Sequence, residues 1–244
     1  MNLQPIRRVA LITGAGRGLG RVLAEFLAGQ GFYLILTARR AGELAAVAEA
    51  TRPLAAGVEA LPGDVADPAH RHSLVDAARR QGRLDLLINN ASTLGVTPLP
   101  PLACYNQEDF EQVLEVNLLA PLALIQEALP VLRAARGLVV NLSSDAAVGG
   151  YPGWGAYGAS KAALDLVSKT LAAELAEEEI GVVSVDPGDM RTEMHQAAYP
   201  GEDISDRPLP DITLPFWAWL LAQEPQAVSG RRFQAQAEVW TYEQ

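Results

Sequence analysis

The stretch that most constrains this chain is Arg8 to Ala28, where an apolar run meets a glycine-rich turn and then an apolar helical pattern. Arg8 to Thr13 reads as a buried strand, a short apolar segment closed by glycines. TGAGRGLG follows at residues 13–20, with Gly14, Gly18 and Gly20 in the pattern TGxxxGxG. Leu19 and Arg21 stand where the commoner GxGxxG register would need glycine. A turn that delivers a strand into a helix N-terminus offers free amides and the positive end of the helix dipole, and glycines let an anion come close. The segment is therefore a phosphate cradle or, with no ligand, a tight turn.

The rest of the chain repeats the strand–helix alternation. Strands are expected at Tyr33–Ala38, Val58–Leu61, Leu84–Asn90, Gly137–Leu142, Gly181–Val185 and Arg231–Val239. Helices are expected at Glu43–Ala50, Pro68–Gln81, from Asn106 onward, at about Gly155–Glu178 and at Phe216–Leu221. Such alternation implies an α/β fold, a parallel sheet with helices on both faces that binds ligands at the carboxyl ends of its strands. Nothing divides the 244 residues, so residues 1–244 read as one domain. Met190 to Pro210 is irregular, within a substrate lid placed at about 189–215. A hydrophobic content of 49% supports a sizeable core, and a net charge of −10 argues against nucleic acid or anionic membrane as a partner. No apolar run reaches about 18 residues, which predicts no membrane span. The lone Cys104 and the absence of a leader in the opening residues lead us to expect a cytoplasmic protein.

Strand ends carry the chemistry-bearing residues. The second strand ends at Arg39-Arg40, and Arg17 lies in the glycine loop. In a dinucleotide fold, arginine at this strand end suits a 2′-phosphate where an acid would accept a 2′-OH. Two surface arginines are the alternative. Asp64-Val65 would border an adenine, or Asp64 serves a turn. His70 and His72 read as surface histidines with no metal role, because i, i+2 residues do not share a helix face. NNAS at 89–92 leaves room for a flat ligand. Pro121, lacking an N–H, frees the Asn117 carbonyl and should kink the helix there, offering a place for a water. Ser144 stands at a strand end, either as a loop cap or facing a helix tyrosine across a pocket.

That tyrosine is Tyr157 in WGAYGASK, with Lys161 on the same helix face. An ammonium near a phenol favours the phenolate, so the Tyr157 pKa is expected to fall towards neutrality and suit proton transfer. A solvated Tyr/Lys pair is the bland alternative.

Taken together, TGAGRGLG, DV at 64–65, NNAS, Asn117, Ser144, YGASK and DPGDMRT resemble the short-chain dehydrogenase/reductase (SDR) family, in its shorter single-domain branch. The resemblance implies a Rossmann-type doubly wound parallel sheet of about seven strands. It implies Tyr157 as general acid/base, Lys161 binding the nicotinamide ribose and tuning Tyr157, Ser144 holding the substrate carbonyl and Asn117 holding a water of a proton relay. Cofactor-binding positions would be Gly14, Gly16, Arg17, Gly18, Leu19, Gly20, Arg39, Asp64, Val65, Asn90, Ala91, Pro187, Gly188, Met190 and Thr192, together with Tyr157 and Lys161. NADP(H) is expected over NAD(H), and the chemistry is hydride transfer between nicotinamide and a carbonyl or alcohol carbon. Ser92, Leu94, Ala146, Trp154 and Met194 would line a largely apolar substrate pocket. A homodimer or homotetramer is implied. Ser92 and Asp186 depart from the family's usual glycine and asparagine at those positions. A non-catalytic NADP(H)-binding sensor or scaffold on the same fold is the second reading.

Overall fold

The computed structural model describes residues 7–240. The reading of a missing leader falls in part on residues 1–6 and so lies outside the described residues. The chain runs β1 (Val9–Thr13), α1 (Gly18–Gly29), β2 (Tyr33–Ala38), α2 (Ala41–Thr51), β3 (Gly57–Pro62), α3 (Pro68–Gln81), β4 (Leu86–Asn89) and α4 (Gln107–Leu114). It continues through α5 (Ala120–Ala135), β5 (Leu138–Leu142), α6 (Gly155–Glu174), β6 (Gly181–Asp186), α7 (Glu193–Ala198), α8 (Leu214–Leu220), α9 (Pro225–Val228) and β7 (Arg232–Gln234). The seven strands form one sheet in the order β3-β2-β1-β4-β5-β6-β7, every pairing parallel.

Strand side chains alternate between two apolar layers, as a period of two requires. Ala10 and Ile12 of β1 pack with Leu34 and Leu36 of β2 against Leu23 and Leu27 of α1. Val9, Leu11 and Ile35 face the other way, onto Leu74 of α3 and Leu124 of α5. Helices on both faces explain why β1 is buried along its whole length rather than polar at alternate positions. The α3 start shows how local sequence sets a boundary: Asp67 accepts from the Ala69 amide, and Pro68 takes the first helical position, where no N–H is needed. β1 pairs with β2 on one side and β4 on the other, so the connections leave it in opposite directions. A crevice opens at that reversal, above the strands' carboxyl ends.

Three elements differ from their sequence expectation. The helix around Asn117 is expected to be irregular at Pro121, and the irregularity takes a particular form. The helix widens into a π-turn at Glu115–Leu119, in which the Ala120 amide donates to the Glu115 carbonyl. The turn joins α4 and α5 into one 29-residue helix, Gln107–Ala135, long and apolar enough by length and composition to cross a membrane. It packs as a core helix here, with Leu124, Ala128 and Leu132 buried beneath the sheet. β7 is far shorter than Arg231–Val239, because the Gln234 carbonyl accepts from the Ala237 amide and from Trp240 Nε1, which turns the chain off the sheet. The segment 190–210 is less irregular than expected. It contains α7, and the Arg191 amide donates to the Pro208 carbonyl at 2.8 Å.

Candidate active site

The crevice is a cleft of about 1110 Å³ running from the glycine turn past Arg39 and Asp64 at one end to Tyr157 and Met194 at the other. Its floor is built by side chains that hold backbone. Asn90 Nδ2 donates to the carbonyls of Thr13 (2.9 Å) and Gly14 (3.1 Å). Thr13 Oγ1 accepts from the Asn90 and Ala91 amides at 3.0 and 2.9 Å. Gly14 has φ +66°, and a Cβ there would lie 2.8 Å from Asn90 Nδ2, so glycine is required both for conformation and for space. α1 begins at Gly18 with no capping side chain and no acid in its first turn. That leaves its amides and dipole directed into the cleft, an arrangement that fits a pyrophosphate. Gly14, Gly16, Arg17, Gly18 and Leu19 line the cleft, whereas Gly20 packs behind Gly14.

At the adenosine end, Arg39 and Arg40 close β2 as exposed residues bordering the cleft. Arg40 Nη1 lies 2.6 Å from Glu43 and 3.5 Å from Glu193, and Glu193 also pairs with Arg17. Burial and the neighbouring Arg40 charge lower the Arg17 pKa. Asp64 and Val65 border the cleft, and Asp64 Oδ1 also accepts from the Ala66 amide, so Asp64 does turn work whatever it meets. His70 corrects its expectation. It is half-buried beneath Gly63, its Nε2 lies 2.7 Å from Thr37 Oγ1, and burial lowers its pKa. Arg71 is buried as well, with Nη1 donating to the Val65 carbonyl at 2.7 Å. His72 is exposed.

At the other end α6 presents Tyr157. The hydroxyls of Ser144 and Ser92 lie close enough to the phenol to lower its pKa, while Ser144 Oγ donates to Asp145 Oδ1 at 2.9 Å and Ser92 Oγ to Asn117 Oδ1 at 3.1 Å. Ser144 also caps a short 3-10 turn, its Oγ accepting from the Ala146 amide at 3.1 Å, and it is not among the residues that line the cleft. The expected fall of the Tyr157 pKa is reversed here. Burial raises it well above the ordinary phenol value, Asp186 and Asp145 add to the rise, and the two serines oppose it. Lys161 does not offset this: its ammonium is bonded to backbone and lies over the ring. Its Nζ donates to the Leu142 carbonyl at 2.7 Å and stands 5.5 Å from the Tyr157 ring centroid. Burial pushes the Lys161 pKa down to about 8, against the pull of Asp165. Lys161 is 2% exposed and forms no part of the cleft wall.

An amine whose folded pKa lies below its unfolded value binds fewer protons folded than unfolded over the interval between them. Stability therefore rises with pH across that interval, and the buried charge is fully costly below it. The stability difference between the cofactor-free wild type and Lys161→Met should accordingly move in favour of the wild type from pH about 8 up to the ordinary lysine value of 10.5. Urea midpoints across that range measure it, and a flat difference would contradict the placement of Lys161.

Asn117 is wholly buried and fully engaged. Its Oδ1 accepts from Ser92 Oγ (3.1 Å) and the Thr93 amide (2.8 Å), and its Nδ2 donates to the Thr93 carbonyl (2.9 Å) and Ser160 Oγ (3.0 Å). It ties the segment after β4 to α6. Small residues around Tyr157 have a packing cause too, since a Cβ on Gly158 would lie 2.5 Å from the Ala146 carbonyl. Ser92, Leu94, Met190, Thr192, Met194 and Pro187 line the cleft. Ala146, Trp154 and Gly188 do not. Ala146 is buried under Gly158, Trp154 stacks edge-on against Tyr157 with centroids 5.5 Å apart, and Gly188 turns at φ +74° against Gln236.

Asp186 is paired rather than solvated. It accepts from the Gly188 amide at 3.0 Å and from Arg232 Nη2 at 3.1 Å. Arg232 also donates to the Ser144 carbonyl (2.7 Å) and to Asp165 Oδ2 (2.9 Å), which in turn accepts from Ser143 Oγ. Sequence reading missed Asp165, Arg232 and Glu193. Asp165 had a signal, since it follows Lys161 by one helical turn; Arg232 and Glu193 reach their partners only through the tertiary fold.

A family described as short chain dehydrogenase matches residues 8–203. The chain thus belongs to the short-chain dehydrogenase/reductase family of oxidoreductases. Short-chain dehydrogenase PC-15 of Penicillium crustosum is 36% identical over 197 residues, 79% of this chain and 69% of the relative. A Pseudomonas syringae protein described as a short chain dehydrogenase superposes with TM-score 0.88 at 32% identity, covering 95% of this chain and 96% of the other. A Shigella flexneri short chain dehydrogenase crystallised with NADP does so with TM-score 0.87 at 29% identity, covering 96% and 100%.

Proposed function

We propose that the protein is an NADP(H)-dependent oxidoreductase acting on a carbonyl or alcohol carbon of a small, apolar substrate, with Tyr157 as general acid/base. The observation that carries the reading is a phenol near two serine hydroxyls in a cleft that also holds an uncapped helix start and the arginines Arg17, Arg39 and Arg40. The NADP complex of the Shigella flexneri relative supports the cofactor assignment.

When bound, NADP(H) supplies or takes the hydride. Gly14, Gly16, Gly18 and the start of α1 would hold its pyrophosphate, and Arg17 and Arg39 its 2′-phosphate. Ser144 orients the substrate oxygen by donating to it. Tyr157, whose raised pKa keeps it protonated at neutral pH, donates its proton to that oxygen in the reductive direction and takes it back in the oxidative one. Lys161, already beside the floor of the cleft, would reach the ribose hydroxyls. Leu94, Met190 and Met194 exclude water and favour an apolar substrate. A cytoplasmic homodimer or homotetramer is part of the proposal.

A panel of aliphatic and aromatic ketones and aldehydes, followed by NADPH absorbance, tests it directly. Turnover with NADPH well above that with NADH is expected on at least one apolar carbonyl. Equal or reversed cofactor preference would refute the arginine assignment.

A further inference from the structure

The first turn of α7 places a carboxylate where the cofactor's extra phosphate should go. Glu193 pairs with Arg17, and its Oε2 lies 3.5 Å from Arg40 Nη1. These cations border the end of β2, the position that meets the adenosine ribose in a dinucleotide fold. Glu193 is well exposed, at 65% for the side chain, so no packing holds it there; the arginines do. Carboxylate and phosphate compete for the same guanidinium donors.

The backbone beneath Glu193 is anchored. Thr192 caps α7 by accepting from the His195 amide at 3.1 Å, and its Cγ2 lies 3.5 Å from where a Gly18 Cβ would be. The start of α7 thus lies directly over the glycine turn. Glu193 can rotate its side chain off Arg17, but it cannot leave the neighbourhood of an arriving phosphate.

We propose that Glu193 is an internal competitor for the 2′-phosphate, a specificity-determining residue that weakens NADP(H) binding and leaves NAD(H) binding untouched. The inference rests on the proposed NADP(H) reading. Binding of the phosphorylated cofactor requires the Glu193–Arg17 pair to open and adds repulsion between carboxylate and phosphate. The non-phosphorylated cofactor leaves the pair closed. Because the pair is exposed, the effect is modest, about two- to fivefold in affinity.

Calorimetric titration of NADPH and NADH into wild type, Glu193→Gln and, as a charge control on the exposed lid, Glu202→Gln tests this. Glu193→Gln should tighten NADPH by about two- to fivefold, with NADH unchanged and with the gain shrinking in high salt. Glu202→Gln should match the wild type. Unchanged or weaker NADPH binding by Glu193→Gln, or an equal gain for NADH, overturns the role of Glu193. The unchanged NADH affinity also reports that the variant is folded. The wild-type titrations separate the two claims. A wild type that prefers NADH overturns the cofactor reading along with this one, whereas an NADPH preference with a neutral Glu193→Gln overturns only this one.

Discussion

Tyr157→Phe should lower kcat for carbonyl reduction by about 10²–10⁴-fold, the usual worth of a positioned proton donor, while NADPH affinity stays as in the wild type. The phenol is the titratable group near Ser144 and Ser92, and phenylalanine keeps the ring that stacks on Trp154 at 5.5 Å. The substitution thus removes one oxygen and leaves α6 in place. Cofactor affinity from fluorescence titration and single-turnover rates would separate binding from chemistry. Undiminished turnover would overturn the mechanism. The raised Tyr157 pKa of the cofactor-free protein has its own corollary: burial keeps the phenol protonated, the form the proposed reduction uses.

Arg39→Ala should weaken NADPH about 10- to 150-fold, the range for hydrogen bonds to a charged group, and leave NADH unchanged. Arg39 is the appropriate target among the three arginines. Arg17 and Arg40 are both engaged by Glu193, and Arg40 by Glu43, whereas Arg39 borders the cleft with no ion pair among the described residues. Its guanidinium therefore enters a phosphate contact without first leaving a carboxylate. Paired titrations of the two cofactors measure the ratio directly. Parallel losses for NADPH and NADH would place Arg39 elsewhere on the cofactor, away from the 2′ position.

Local chemistry made much of this legible before any coordinates. The apolar run into glycines of β1, the helix start at Asn106 and the Tyr157/Lys161 spacing depend on neighbours within a few residues, and each recurs in the fold. Direction of side chains was less legible. Spacing puts Lys161 on the face of Tyr157, but the Leu142 carbonyl, on another strand, decides where its ammonium points. His70 read as surface because its partner, Thr37, lies on β2. A buried run from Asn89 through Asn141 to Ser168 fixes α6 against β4 and β5, and its members lie far apart in the chain. The family resemblance places Trp154 and Ala146 in the pocket. Packing sends one against the Tyr157 ring and the other under Gly158.

Arg232, on the last strand, holds the Ser144 carbonyl, Asp165 and Asp186 at once. Every recognisable motif of the family lies upstream of it. A chain emerging from the ribosome therefore carries its glycine turn, its serine, its tyrosine and its lysine well before it carries the guanidinium that locks the serine loop to the sheet. The loop that carries Ser144 and the helix that carries Tyr157 are therefore not tied together through Arg232 until β7 has been made.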